Sequence, residues 1–484
     1  MRRMAIPFAL AIVANSCVQP QVATSAIDPP PATIQVTRSA SPQIPLAETS
    51  DPNEQNIQRT PPQYDLAVLF DYSEHSLQVH ERVTFWNDSS DSIAELQLVV
   101  EAHRSGAGFF LTDLRVNEET QTGEYELSDG ILHIPMLDPL APGETVRLEI
   151  EYELVLPAGA GTLTWTDRQV NFIDWYPYFP PYLNGQGWLV HQPAAVGEHS
   201  VFESANFRVN IEVFNAPASL QIAAPAPREG SGATFDYELR NARRFAWSAS
   251  GQYEVLETEF EEVPVSIYYF SEHRDAAKAS LATAKQALET YSALFGAYPY
   301  ESLAIVDAQF FDGMESDAIF FLDRSYFLEY NYSPRNYLTA LTAHEVAHNW
   351  WFGQVGNDQA LEPWLDEALC IYSESLYYEN TYPEMTDWWW EFRIDRFRPT
   401  GSVNSTIFDH ASFDPYVQAV YMRGAQFIQR LRNAMGDAAF FEFLRAYASA
   451  GSGKIVSAHD LFRLMKYYGS TNLEPIITEF FGAQ

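Results

Sequence analysis

The sequence predicts an α+β protein with two folded regions: an N-terminal antiparallel β-sandwich over residues 63–263, then a mostly α-helical domain over residues 264–484. Three observations carry that expectation. From about residue 64 to residue 263, apolar and polar residues alternate with the period of a strand. Beyond about residue 271 the pattern becomes that of helices. The 484 residues are 46% hydrophobic and only 19% charged, enough apolar material for two or three packed domains.

The chain opens with a targeting pattern. Arg2 and Arg3 precede an apolar run over residues 4–14, interrupted by Pro7. The run is too short to span a bilayer and right for the core of a secretory signal. It ends at Ala14-Asn15-Ser16-Cys17. Small residues before a lone cysteine resemble a bacterial lipobox, in which the cysteine is lipidated and becomes the new amino terminus. A cleavable signal with an incidental cysteine is the other reading. Residues 1–17 are therefore expected to export the protein and, through Cys17, to anchor it by lipid at the cell envelope; without the lipid it would be periplasmic or extracellular. No later apolar stretch is long enough for a membrane helix, so a membrane is expected as partner only through that anchor. Residues 18–62 are rich in Pro, Ser, Thr and Gln with hardly an aromatic, the composition of a disordered linker.

Charge and cysteines exclude whole classes of function. Lys plus Arg is 29 against 64 for Asp plus Glu, a formal net charge of −35, and nucleic acid is not an expected partner of such a polyanion. The cysteines are Cys17 and Cys370, so the folded regions hold one thiol, no disulfide framework and no cysteine-based metal cluster.

In the first region, Val146, Leu148, Ile150, Tyr152 and Leu154 alternate with Arg147, Glu149, Glu151 and Glu153, a strand with one buried face. Phe207, Val209, Ile211 and Val213 repeat the pattern. In the second, residues 276–295 read as a helix stopped by Gly296, and 303–306 as a strand leading to Gly313-Met314-Glu315.

His344-Glu345-Val346-Ala347-His348 is the decisive segment. Residues four apart share one face of a helix, so both imidazoles can bind one ion. Zinc suits imidazole and carboxylate donors, and a catalytic site keeps a fourth position for water. Glu345 is placed to take a proton from that water. Eighteen residues separate His348 from Glu367, within Glu362-Pro363-Trp364-Leu365-Asp366-Glu367-Ala368-Leu369. Pro363 favours a first helical turn, and Leu365, Ala368, Leu369, Tyr372 and Leu376 form an apolar stripe. Glu367 then stands in the first turn of a second helix, able to complete a His, His, Glu set.

These residues resemble the zinc aminopeptidases of the aminopeptidase N type, a family that also includes an epoxide hydrolase of leukotriene metabolism. The family signature is His-Glu-x-x-His, 18 residues, Glu, with Trp-Leu-Asn-Glu-Gly-Phe around the last ligand. Asn349-Trp350-Trp351-Phe352-Gly353 is similar to its Gln-Trp-Phe-Gly run. The likeness runs from the sandwich to the last residue, and the chain is expected to lack the long C-terminal helical domain of many members. The resemblance implies a thermolysin-like catalytic domain, one Zn2+ per chain on His344, His348 and Glu367, and peptide substrates with a free amino terminus. Gly313-Met314-Glu315-Ser316 is similar to the family's Gly-Ala-Met-Glu-Asn, whose glutamate holds the substrate α-amine; Gly313, Met314 and Glu315 are thereby substrate-binding candidates, while Asp312 and Ser316 depart from the pattern. Tyr421-Met422-Arg423-Gly424-Ala425 is similar to Tyr-x-Lys-Gly-Ala, whose tyrosine donates to the oxyanion.

Glu362 reads equally as a residue that orients a ligand and as a helix cap, His410 as a bystander, Cys370 as a buried small hydrophobe. Trp175-Tyr176-Pro177-Tyr178-Phe179 reads as a rigid aromatic corner, loosely similar to a family segment beside the active site. The expected function is a zinc aminopeptidase that acts through a metal-activated water, with Glu345 and Tyr421 catalytic. Two alternatives stay open: a less selective zinc endopeptidase, for which Glu315 would be irrelevant, and a surface binding module that keeps the fold without turnover.

Overall fold

The computed structural model describes residues 60–482 apart from 121–124, 230–231, 311 and 470–471. The expected signal with Cys17, and the linker as far as residue 59, lie outside the described residues. Among the described residues no helix is long and apolar enough to cross a membrane.

Alternation in sequence becomes the two faces of a sheet. In the strand Ser76–Trp86 every second residue from Leu77 to Phe85 points into the core, and in Thr145–Val155 the inward set is Val146, Leu148, Ile150, Tyr152 and Leu154. These two strands pair at the centre of a seven-stranded sheet ordered Thr234–Ala242, Ala205–Phe214, Gln63–Asp71, Ser76–Trp86, Thr145–Val155, Gly108–Val116, Glu119–Thr120. A three-stranded sheet (Ile93–Val99, Ile131–Leu140, Glu126–Ser128) and a four-stranded sheet (Gln221–Ala223, Trp247–Ser250, Val170–Phe172, Leu163–Trp165) share its hydrophobic core. Within that core Phe172 and Trp247 stack with ring centroids 3.8 Å apart. The sandwich is not wholly antiparallel, since Gln63–Asp71 runs parallel to Ala205–Phe214. More than 130 residues separate these strands, so no hairpin ties their directions (205 − 71 = 134).

The second region is built on a five-stranded sheet ordered Tyr253–Phe260, Val263–Phe270, Leu303–Ala308, Ile319–Asp323, Gly313–Ser316. The hairpin formed by its first two strands straddles the boundary expected at 263/264. The strand with Glu315 is the sheet's other edge. Five helices of this region bear on the site: α1 (Arg274–Phe295), α2 (Tyr337–Ala347), α3 (Trp364–Thr381), α4 (Thr386–Arg393) and α5 (Arg423–Met435). Asn336 caps α2, its side chain accepting from Thr339 N. Every residue of α2 from Leu338 to Ala347 is buried, so the helix is enclosed on all sides and shows no polar stripe.

One polar side chain joins the two regions, and a second braces the catalytic one internally. Arg243, at the end of the sandwich, donates to Phe202 O (2.8 Å), Lys454 O (2.8 Å) and Phe352 O. Asn349, just after the second histidine, accepts from Ala318 N (3.0 Å) and Tyr298 Oη (3.2 Å), fixing the end of α2 to the hairpin that carries Glu315.

One inward position breaks the apolar pattern. Glu81 has no exposed surface, and burial pushes its carboxyl well above the usual range, with the neighbouring Tyr152 only partly offsetting this. The folded chain keeps this proton where the unfolded chain releases it. Stability from this site is therefore intact below the ordinary carboxylate range and falls above it by up to about 1.4 kcal/mol per pH unit. Glu81→Gln keeps the shape and removes the titration. Thermal unfolding from pH 4 to pH 8 is expected to show wild type and variant together at the acid end and the variant more stable at the alkaline end.

Candidate metallopeptidase active site

The helical spacing of the two histidines survives although α2 ends at Ala347, because His348 occupies the C-cap with right-handed backbone and its N–H still bonds His344 O (3.3 Å). Glu367 rises from the first turn of α3, which follows Pro363 as expected. Three donors converge: His344 Nε2 lies 3.2 Å from His348 Nε2 and 3.2 Å from Glu367 Oε2, and His348 Nε2 lies 3.7 Å from that same oxygen. A tetrahedral ion held at zinc–ligand distances separates its donors by about 3.4 Å. The set therefore fits zinc with one position left over.

The other ring nitrogens are held by the protein. His348 Nδ1 faces Trp351 O at 3.2 Å, which makes it the donor and leaves Nε2 as the lone-pair atom. His344 Nδ1 is 3.1 Å from Glu374 Oε1. Glu374 is fully buried two turns beyond Glu367 on α3; it accepts from Arg393 (2.8 and 2.7 Å) and from Trp389 Nε1 (3.0 Å), both on α4. Burial alone would raise its carboxyl, but the Arg393 guanidinium and the His344 ring hold it below the usual range. Sequence reasoning missed this pair, although the seven-residue step from Glu367 along one helix was the available signal.

Glu345 is buried beside the ligands, and its Oε2 has no protein partner. Burial raises its carboxyl well above the usual range, opposed by His344 and reinforced by Glu315. A Cβ at Gly313 would stand 1.9 Å from Glu345 Oε1, so any side chain there would displace that carboxylate. Glu315, next along the strand but one, offers an oxygen within 4.8 Å of donor atoms of Glu345 and His348. Gln359 Nε2 donates to it (3.3 Å), and Arg244 lies 3.6 Å from its carboxylate while also donating to its main-chain carbonyl. Burial opposes ionisation of Glu315, yet His348 and Arg244 hold it well below the usual range. Its neighbour Glu198, reached by Gln359 at 2.7 Å, is pushed well above by burial and by Glu315. The two carboxyls thus divide one proton, with the charge on Glu315.

Tyr421 stands in a π-helical turn, Gln418–Met422, that leads into α5. Its ring lies parallel to that of His344, centroids 6.5 Å apart, and burial keeps its phenol protonated. Gly424 allows this approach, because a Cβ there would come within 2.4 Å of Ala368 Cβ on α3. All the expected site residues therefore share one cleft: His344, Glu345, His348, Glu367, Gly313, Met314, Glu315 and Tyr421.

The remaining candidates separate. Glu362 accepts from Ala458 N, so it caps the helix Ala458–Tyr468 and touches no ligand. His410 packs against Tyr416, and Cys370 is fully buried against Trp351 O. Trp175, Tyr176, Tyr178 and Phe179 are core residues of the sandwich. Asp312 has a left-handed backbone (φ 63°), which suits the glycine of the family pattern and which aspartate tolerates. Sequence reasoning also missed Glu198, Arg244, Gln359 and Asp174. All four line or support the cleft, and a cavity of about 360 Å³ continues from Glu198, Arg244 and Met314 into the sandwich.

Two variants test this geometry. Glu374→Ala is expected to weaken zinc binding about 10- to 100-fold, read by competition with a chromogenic chelator. Gly424→Val is expected to cost about 1–3 kcal/mol in thermal unfolding through overpacking against Ala368.

Comparison with known proteins follows the same division. Residues 279–480 match the peptidase family M1 domain. Among solved structures, the M1 zinc metallopeptidase of Deinococcus radiodurans is 19% identical, with a TM-score of 0.61 over 87% of this chain and 93% of that one. A variant of the same enzyme is 18% identical, with a TM-score of 0.62 over 87% and 94%. Another structure of that variant, holding the substrate Tyr-Ser-Ala, gives 18% and 0.61 over the same shares. At these identities the likeness establishes the shared fold, sandwich and helical domain together. Residues 279–480 of the chain thus carry a peptidase family M1 domain, and the solved structures that share its fold are M1 zinc metallopeptidases.

Proposed function

We propose that this chain is a zinc-dependent aminopeptidase that removes N-terminal residues from peptides, with one Zn2+ on His344, His348 and Glu367. The observation that carries the reading is Glu315, a buried and ionised carboxylate among the donor atoms of Glu345 and His348. A carboxylate fixed there forms an ion-paired hydrogen bond with a terminal ammonium, whereas an internal peptide bond offers it only a neutral N–H. Binding of Tyr-Ser-Ala and of L-arginine by structurally similar M1 enzymes supports substrates of this type.

Zinc, when bound, supplies the Lewis acid that polarises the scissile carbonyl and acidifies water. The chain's own groups do the rest. Glu315 holds the amine, and Gly313 and Met314 set its strand beside Glu345. Glu345 takes the proton of the attacking water on a carboxyl whose basicity burial has raised, then returns it to the leaving amine. Tyr421 donates its hydroxyl proton in a hydrogen bond to the developing oxyanion. Glu374 and Trp351 O hold the two imidazoles in the tautomer that presents Nε2. On the reading of residues 1–17, the enzyme works outside the cytoplasm on a lipid carried by Cys17; fatty-acid labelling lost in Cys17→Ser would test the anchor.

Release of an aminoacyl fluorophore and of its N-acetylated twin, with and without a chelator, tests the function. Chelator-sensitive cleavage of the free-amine substrate alone is expected. Equal cleavage of both would make the enzyme an endopeptidase-like hydrolase, and zinc-loaded protein that cleaves neither would make it a binding module. Glu345→Gln is expected to retain zinc and lose at least about 10³-fold in kcat, while Tyr421→Phe loses about 10²-fold with little change in KM.

A further inference from the structure

The cavity that opens beside the amine-binding strand has a chemistry of its own. Its volume is about 360 Å³, room for a long side chain, and its walls come from the sandwich: residues 101–105, 162–163, 173–174 and 193–202. It shares Glu198, Arg244 and Met314 with the surroundings of Glu315, so it begins where the α-carbon of a bound first residue would lie.

Asp174 is the unusual residue in this wall. Its backbone is left-handed (φ 54°), although it stands directly before the buried corner of Trp175 and Tyr176. Its carboxylate has one weak partner, Arg244 at 3.5 Å, and its Oδ1 has none. The guanidiniums of the cavity already face acidic or carbonyl partners, with only Arg104 Nη2 and Arg244 Nε bonding nothing. Arg244 is 2% exposed and serves Asp174, Glu198 and Glu315, and Arg104 bonds Glu101 (2.7 Å) and Asp129 O (2.7 Å). Side-chain exposure falls instead on the carboxylates, 27% for Glu198 and 21% for Asp174, against 11% for Arg104. What the cavity offers a ligand is acceptor oxygen, at Asp174 above all.

We infer that this cavity receives the side chain of the substrate's first residue and selects a basic one, lysine or arginine, with Asp174 as the specificity-determining acceptor. The inference rests on the aminopeptidase reading. A guanidinium or ammonium there meets Asp174 in a partly desolvated site, where a charge-assisted hydrogen bond is stronger than in water. An acidic side chain would face the Asp174 carboxylate in a wall whose guanidiniums already pair with Glu101, Asp174 and Glu315.

Zinc-loaded full-length protein should be assayed on arginyl, lysyl, leucyl and glutamyl fluorophore amides. The basic substrates are expected to exceed leucyl by about tenfold in kcat/KM, with glutamyl the poorest. In Asp174→Asn the ratio of arginyl to leucyl is expected to fall about tenfold; asparagine tolerates the left-handed backbone, so the variant keeps the local conformation. A second measurement needs no variant: free L-arginine and L-lysine are expected to inhibit the wild type at concentrations about tenfold lower than L-norleucine. An unchanged ratio in the variant, or norleucine inhibiting as well as arginine, overturns the selectivity while leaving the aminopeptidase standing. If no free-amine substrate is cleaved, both fall together.

Discussion

Crowding of like charge in a buried cleft is the constraint on which the rest of the structure depends. Glu315 raises the proton affinity of Glu198, Glu345 and Asp366, Glu367 raises that of Glu345 and Asp366, and all five carboxyls are largely shut away from bulk water. Such a cluster stands only if cations or protons are supplied to it. The chain supplies Arg244 from the sandwich and one shared proton between Glu198 and Glu315. The remaining demand matches a divalent ion on the histidine side and a substrate ammonium on the Glu315 side. On the proposed function, metal site and amine site are two solutions of one electrostatic problem.

The need to hold these charges apart by fixed distances explains the close packing around them. Gly313 leaves the volume that Glu345 fills, and Gly424 lets α5 approach α3 closely enough to bring Tyr421 over the ring of His344. The π-helical turn at Gln418–Met422 re-aims Tyr421 without breaking the helix that follows. Asn349 joins α2 to the Glu315 hairpin, so the base and the amine anchor cannot drift independently. Preorganisation of this kind lets neutral and charged donors act on a developing oxyanion with little rearrangement.

How much of this could be read in advance depends on sequence distance. His344, Glu345, His348 and Glu367 sit on two consecutive helices, and helical spacing carries their geometry. Gly313 to Glu315 and Tyr421 lie farther off, and only their resemblance to a known pattern marked them. Glu374 escaped notice because its role arises from Arg393 and Trp389 on a third helix, which no period in the chain announces. Burial hid α2 in another way: a helix enclosed on all sides has no polar face, so the amphipathic signal is absent where the chemistry is densest. The parallel pair in the sandwich was equally silent, since alternation states that a strand has two faces and says nothing of its direction.

The sandwich contributes more than a platform, and its contribution was the least legible part of the sequence. Asp174, Glu198 and Arg244 come from three segments of it, each unremarkable where it stands, and meet only because the sandwich packs against the edge strand of the catalytic sheet. Arg243 and Arg244 divide the work at that junction. Arg243 spends its donors on main-chain carbonyls and binds the two regions together. Arg244 turns into the cleft and, by bonding the Glu315 carbonyl while lying near its carboxylate, sets both the position and the charge of the amine anchor. On the proposed readings, selection of the amino terminus and of the first side chain draw on the same guanidinium. Any change that moves the sandwich relative to the catalytic sheet alters both at once, whereas the histidines and Glu367, held wholly within the second region, keep their geometry.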